Sequence, residues 1–179
     1  MNHPKEQHLD PLWVLAMIHT MIEESIYHTE TFAHTLNVHH NDKAAKVFRL
    51  ICEQFKAEQG IVLNCTPAVD LPTIPPWEVP YAEYIHPSSV LIHANYLMTE
   101  SQAWRLMHEM IEIHKRFYTF LSKENSEDTL FSVIDQLANY CNDCGEKNKR
   151  LEAKAETNRS KSSEDIDIIS LHSNEGGLW

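Results

Sequence analysis

Asn64–Ser89 reads "NCTPAVDLPTIPPWEVPYAEYIHPSS", and six of the chain's eight prolines lie within it. Proline fixes φ and lacks a backbone N–H, so neither a long helix nor a central strand fits this stretch. It is also too long for a tight turn. It reads as a stiff, extended crossover covering about residues 63–98. On both sides of it, apolar residues recur at helical spacing and do not alternate. Two helices, a crossover and two further helices are the expected order.

Upstream lies "HLDPLWVLAMIHTMIEESIYHTETFAHTL", the first helix. Asp10 is a good N-cap and Pro11 suits the first helical position. Leu9 and Val14 form a candidate hydrophobic staple. Val14, Ile18, Met21, Ile22, Ser25, Thr29, Phe32 and Leu36 fall on one face. "NVHHND" is a turn, with Asn41 or Asp42 capping a second helix from Lys43 to Val62. Its inner stripe is Ala44, Phe48, Ile51, Cys52, Phe55, Glu58 and Val62, in which Glu58 is an acid on an apolar line.

Downstream, a short helix is expected over Ser89–Met98, and Trp77 and Tyr81 pin the crossover to the bundle. Thr99 with Gln102 forms a capping box that opens the third long helix. Ala103, Met107, Met110, His114, Phe117 and Leu121 line its inner face. Ser126 caps the fourth helix, whose inner stripe is Leu130, Phe131, Ile134, Leu137, Ala138, Cys141, Cys144, Asn148 and Leu151. After Thr157 the sequence turns polar and Ser-rich. The expected organisation is an extension at 1–9, a helical bundle at 10–156 and a loose tail at 157–179.

The formal charge of −11, without a dense basic stripe, argues against nucleic acid or an anionic membrane as partner. No apolar run is long enough to span a bilayer. The polar start "MNHPKEQHLD" is unlike a signal peptide, so a cytoplasmic location is expected. Cys52, Cys65, Cys141 and Cys144 are then expected as thiols or metal ligands, not disulfides.

A hairpin of two helices, one long crossover and a second hairpin make the layout of the ferritin-like class. "IEIHKRFYTFLSKE" followed by "LFSVIDQLANY", with "VFRLICEQF" in the first pair, resembles the helix pairs of rubrerythrin-like proteins. The resemblance covers roughly residues 12–155. It implies an all-α, antiparallel four-helix bundle. It also implies a di-iron site built from one Glu on each of the first and third helices and a Glu-x-x-His on each of the others. At the matching positions this chain has Cys141 and Cys144, Phe55 and Glu58, and His114. On the first helix Glu24 is the best match, with Ser25 and His28 nearby. No Glu-x-x-His is intact and Phe55 cannot bridge metals, so a di-iron centre is not expected.

The replacements are themselves candidate ligands. Cys141, Cys144, His114 and Glu58, with Glu24 and His28 in reserve, would suit a single zinc, iron or copper ion. The thiols could equally be small buried apolar groups, or a redox pair lacking the helix N-terminus that activates such pairs. The pairs His19/Glu23 and His108/Glu112 read as solvated ion pairs. Three functions follow. The first is a non-catalytic interaction or scaffold protein without metal. The second is a mononuclear metal-binding protein. The third is an iron oxidoreductase using Glu24, His28, Glu58 and His114. Ile166, Ile168, Ile169, Leu171, Leu178 and Trp179 make the tail a candidate docking peptide for a protein partner. Homo-oligomerisation is compatible with all three.

Overall fold

The computed structural model describes residues 10–65, 70–75, 87–124 and 128–173. Among the described residues it is all helical: α1 (Pro11–Val38), α2 (Asp42–Cys65), α3 (Pro87–Leu91), α4 (Glu100–Glu124) and α5 (Asp128–Ser173). The chain divides into two compact units, Met1–Gly145 and Glu146–Trp179.

The first unit begins where the sequence signals begin. Asp10 accepts a hydrogen bond from the Leu12 N–H at 2.9 Å, and Pro11 occupies the first turn. Satisfying an orphan amide in this way is worth about 1 kcal/mol. α1 ends in a Schellman motif, in which Asn41 N–H donates to Leu36 O at 2.8 Å and His40 N–H to Asn37 O at 3.0 Å. His40 takes the left-handed conformation (φ 57°) at the position where glycine is usual. The motif turns the chain tightly enough for α2 to pack back along α1.

Asn41 then ties this turn to the far side of the crossover. Its Nδ2 donates to Tyr96 O at 3.1 Å and Met98 O at 2.7 Å. Further along the same helices, Glu58 meets His114. The two contacts are separated by nearly the same number of residues on α2 and on α4. The helices therefore run parallel, and the connection between them must return the length of the bundle. That is the topological work of the proline-rich stretch. Ile74 anchors its described part as a buried side chain. Trp77 and Tyr81 lie outside the described residues, as do Leu9 and Ser126.

α3 is shorter than expected. It stops at Leu91, and Asn95 Oδ1 takes the Leu97 N–H at 3.0 Å, diverting the backbone into turns. The Thr99/Gln102 capping box forms as expected, with bonds of 3.2 and 2.7 Å. The stripes of α2 and α4 are buried at every expected position. Burying side chains such as Phe48, Ile51 and Phe117 contributes about 1.5–3 kcal/mol each. On α1, Phe32 is only half-buried but stacks on Phe48 at 5.4 Å. On α5 two members of the expected stripe, Ala138 and Leu151, are only half-buried, and one needs correction. Phe131 is 47% exposed and Val133 is buried in the same turn, because Leu130, Ile134, Leu137, Cys141 and Cys144 fix the helical phase.

The second unit is described by one helical segment, the part of α5 from Glu146 to Ser173. Asn148 is buried. The helix was expected to give way near Thr157 and instead continues to Ser173. Thr157 and Ser160 hydroxyls donate to the carbonyls four residues back, at 2.9 and 3.2 Å, so these polar residues stay compatible with helix. Leu178 and Trp179 lie outside the described residues. Among the described residues no helix is long and apolar enough to cross a membrane.

Candidate metal centre

At the middle of the first unit, Glu58, His114 and Cys141 each offer one ligand atom, all within 4.8 Å of one another. The three are 1–3% exposed. A carboxylate so deep costs several kcal/mol unless its lone pairs are met. They are met from two helices. His114 Nδ1 lies 3.0 and 3.1 Å from the two carboxylate oxygens. The Tyr118 hydroxyl donates a short bond to Glu58 Oε1, and the Cys141 thiol points at the same oxygen from 3.6 Å.

The imidazole is fixed on every side. Phe55 stacks on its face at 4.4 Å and 17°, and Tyr118 meets it edge-on at 6.2 Å. Ser25 Oγ lies 2.9 Å from His114 Nε2. The Ser25 hydroxyl has a single hydrogen, which points at Met21 O, 2.8 Å away. Its oxygen is then an acceptor, so Nε2–H donates to it. This is the outer-shell arrangement that holds a metal-ligating histidine, and it directs the Nδ1 lone pair at Glu58 and Cys141.

The spacing suits a small ion. Ideal tetrahedral zinc bonds would place nitrogen and oxygen ligands about 3.3 Å apart and sulfur and oxygen about 3.5 Å apart. The observed separations of 3.0 and 3.6 Å are close to those edges. Burial, with the Glu58 charge second, pushes the Cys141 thiol well above its ordinary range. Burial and Glu58 push the Tyr118 phenol up in the same way. Both therefore carry their protons while no cation is present. One further proton lies between His114 Nδ1 and Glu58. A divalent ion would replace that proton and the thiol proton, leaving the net charge of the buried site unchanged.

The other candidates stand elsewhere. Cys144 is buried one turn beyond Cys141, and the neighbouring Tyr140 hydroxyl donates to Gln54 O at 3.0 Å. Cys144 is not in the set of three. The first-helix contribution is Ser25, not Glu24. Glu24 and His28 pair with each other at 3.8 Å on a partly exposed flank, at 26% and 31% side-chain exposure. A residue one position away on a helix is rotated by about 100°, which separates the two outcomes. His19 pairs with Glu23 at 3.4 Å as expected, whereas Glu112 pairs with Lys115 at 2.7 Å and the His108 ring lies 6.4 Å from that of Trp104. Cys52 belongs to a separate cleft of about 370 Å³ between α1 and α2, which Lys56 spans to reach Glu30 and Glu53.

Tyr118, which bonds Glu58, is the member of this cluster the sequence reading missed. It is four residues after His114 and so shares its face, but the neighbouring Phe117 satisfied the apolar stripe. Comparison of the chain with protein-family models, curated proteins and solved structures returns no match.

Proposed function

We propose that this chain is a ferritin-like bundle whose di-iron site has become a mononuclear metal site, and that it binds one divalent ion without catalysing a reaction. Glu58, His114 and Cys141 are the protein ligands. The observation that carries this reading is their convergence from α2, α4 and α5 on one buried point, with Ser25 holding the imidazole for ligation through Nδ1. Thiolate, imidazole and carboxylate together favour zinc, with iron or copper next. The ferritin-like assignment is supported by the parallel run of α2 and α4 and by all four long helices supplying a residue around that point.

The burial of the ligands argues against an organic substrate. Side chains at 1–3% exposure admit an ion more readily than a molecule. The ion would then serve the fold by locking the helices together, since binding to the folded state alone stabilises it. The metal-free scaffold reading is favoured by one observation: Glu58, His114, Tyr118 and Cys141 already satisfy one another through hydrogen bonds. The oxidoreductase reading needs Glu24 and His28 beside Glu58 and His114, and their flank position does not support it.

Metal analysis of protein purified without added metal decides between these readings. Near-stoichiometric zinc, iron or copper that is lost in Cys141→Ser, with helix content retained, is the expected result. Metal-free protein that also fails to take up added zinc would leave the scaffold reading standing.

A further inference from the structure

We propose that Tyr118 supplies the fourth ligand of the ion, a step that rests on the metal-binding reading above. The Tyr118 hydroxyl donates to Glu58 Oε1, the oxygen that His114 Nδ1 reaches at 3.0 Å and the Cys141 thiol at 3.6 Å. Imidazole, phenol and thiol therefore converge on one carboxylate oxygen. His114 and Tyr118 stand four residues apart on α4 and share a face. At that spacing a single helix can offer two ligands to one ion.

Enclosure points the same way. A structural zinc site is four-coordinate and closed, whereas an open fourth position goes with access for water or substrate. The three ligands are 1–3% exposed, and Tyr118 is fully buried beside them. A water in the fourth position would need further polar partners of its own. Two described side chains outside the trio hydrogen-bond to it, Ser25 and Tyr118. Ser25 holds Nε2, the imidazole nitrogen turned away from Glu58. Tyr118 is the one on the side where Glu58 and Cys141 face the ion.

The chemistry is consistent with a phenolate donor. Entry of the ion sends the phenol proton to solvent, along with the thiol proton and the one shared by His114 and Glu58. The Tyr118–Glu58 hydrogen bond is replaced by two bonds to the metal. Carboxylate, thiolate and phenolate around a divalent ion leave one net negative charge. A zinc site of four cysteines carries two, so this charge lies within the range that closed structural sites hold. A Tyr118 that served only to satisfy Glu58 would keep its proton when the ion enters.

Near-ultraviolet difference spectra, recorded as zinc is added to the metal-free full chain, test this. A phenolate signal should rise in step with zinc and stop at one tyrosine per ion. It should be absent from Tyr118→Phe and retained in Tyr140→Phe, whose native hydroxyl donates instead to Gln54 O. Tyr118→Phe should also bind zinc at least about tenfold more weakly, with its helices confirmed by circular dichroism. Zinc that binds the wild type and is lost in Cys141→Ser, yet forms no phenolate, would overturn Tyr118 as a ligand and leave the three-ligand site standing. A wild type that takes up no zinc would overturn both.

Discussion

Glu58 carries two protein protons' worth of hydrogen bonding besides the imidazole: the Tyr118 hydroxyl and the Cys141 thiol both converge on one of its oxygens. Its oddity was legible in the sequence, because an acid on a helical apolar stripe must find a partner. His114 was legible for the same reason. Tyr118 was not, since a phenol beside Phe117 is common in bundles without any site, and Ser25 was legible as an inner-face residue near Glu24 but not as the partner of the imidazole. Two outcomes follow at this scale. Glu58→Ala should destabilise the metal-free protein by about 3–5 kcal/mol in chemical denaturation, because it strands a histidine in the core. Glu58→Gln, which keeps an acceptor, should cost less. The second outcome concerns alkali. Cys141 and Tyr118 hold their protons in the fold beyond the pH at which the unfolded chain releases them. Above about pH 9 the unfolded state therefore binds fewer protons, and stability falls as pH rises, by about 1.4 kcal/mol per pH unit for each fully retained proton. Denaturation midpoints measured from pH 8 upward should show this decline, and Cys141→Ala should make it shallower.

Among the elements, helix boundaries were read best where a side chain announces them. Asp10, Pro11, Thr99 and Gln102 all act as their types predict. The turn after α1 was legible as a turn, but its left-handed residue was not, because histidine occupies the place of glycine. A left-handed backbone at a residue with a Cβ costs about 1–2 kcal/mol. His40→Gly should therefore raise the denaturation free energy, by about 0.5–1 kcal/mol after the entropy cost of glycine. An unchanged or lower value would show that the His40 side chain contributes more than its strain takes away. The continuation of α5 past Thr157 escaped a reading based on composition. Serine and threonine lower helix propensity on average, yet here their hydroxyls bond the preceding turn.

For the molecule as a whole, the decisive sequence feature was the one without regular structure. The prolines between α2 and α4 announced a long connection, and the parallel run of those helices is its consequence. What the sequence could not convey is which lines of the four stripes meet at one height. That depends on helix phase and axial offset, and an error of one residue exchanges Glu24 for Ser25. The proposed function places one ion on Glu58, His114 and Cys141. X-ray absorption at the zinc edge of the loaded protein tests it most directly. A single sulfur at about 2.3 Å with nitrogen and oxygen neighbours at about 2.0 Å is expected, with loss of the sulfur shell in Cys141→Ser. A shell of nitrogen and oxygen alone, or one with two sulfurs, would contradict it.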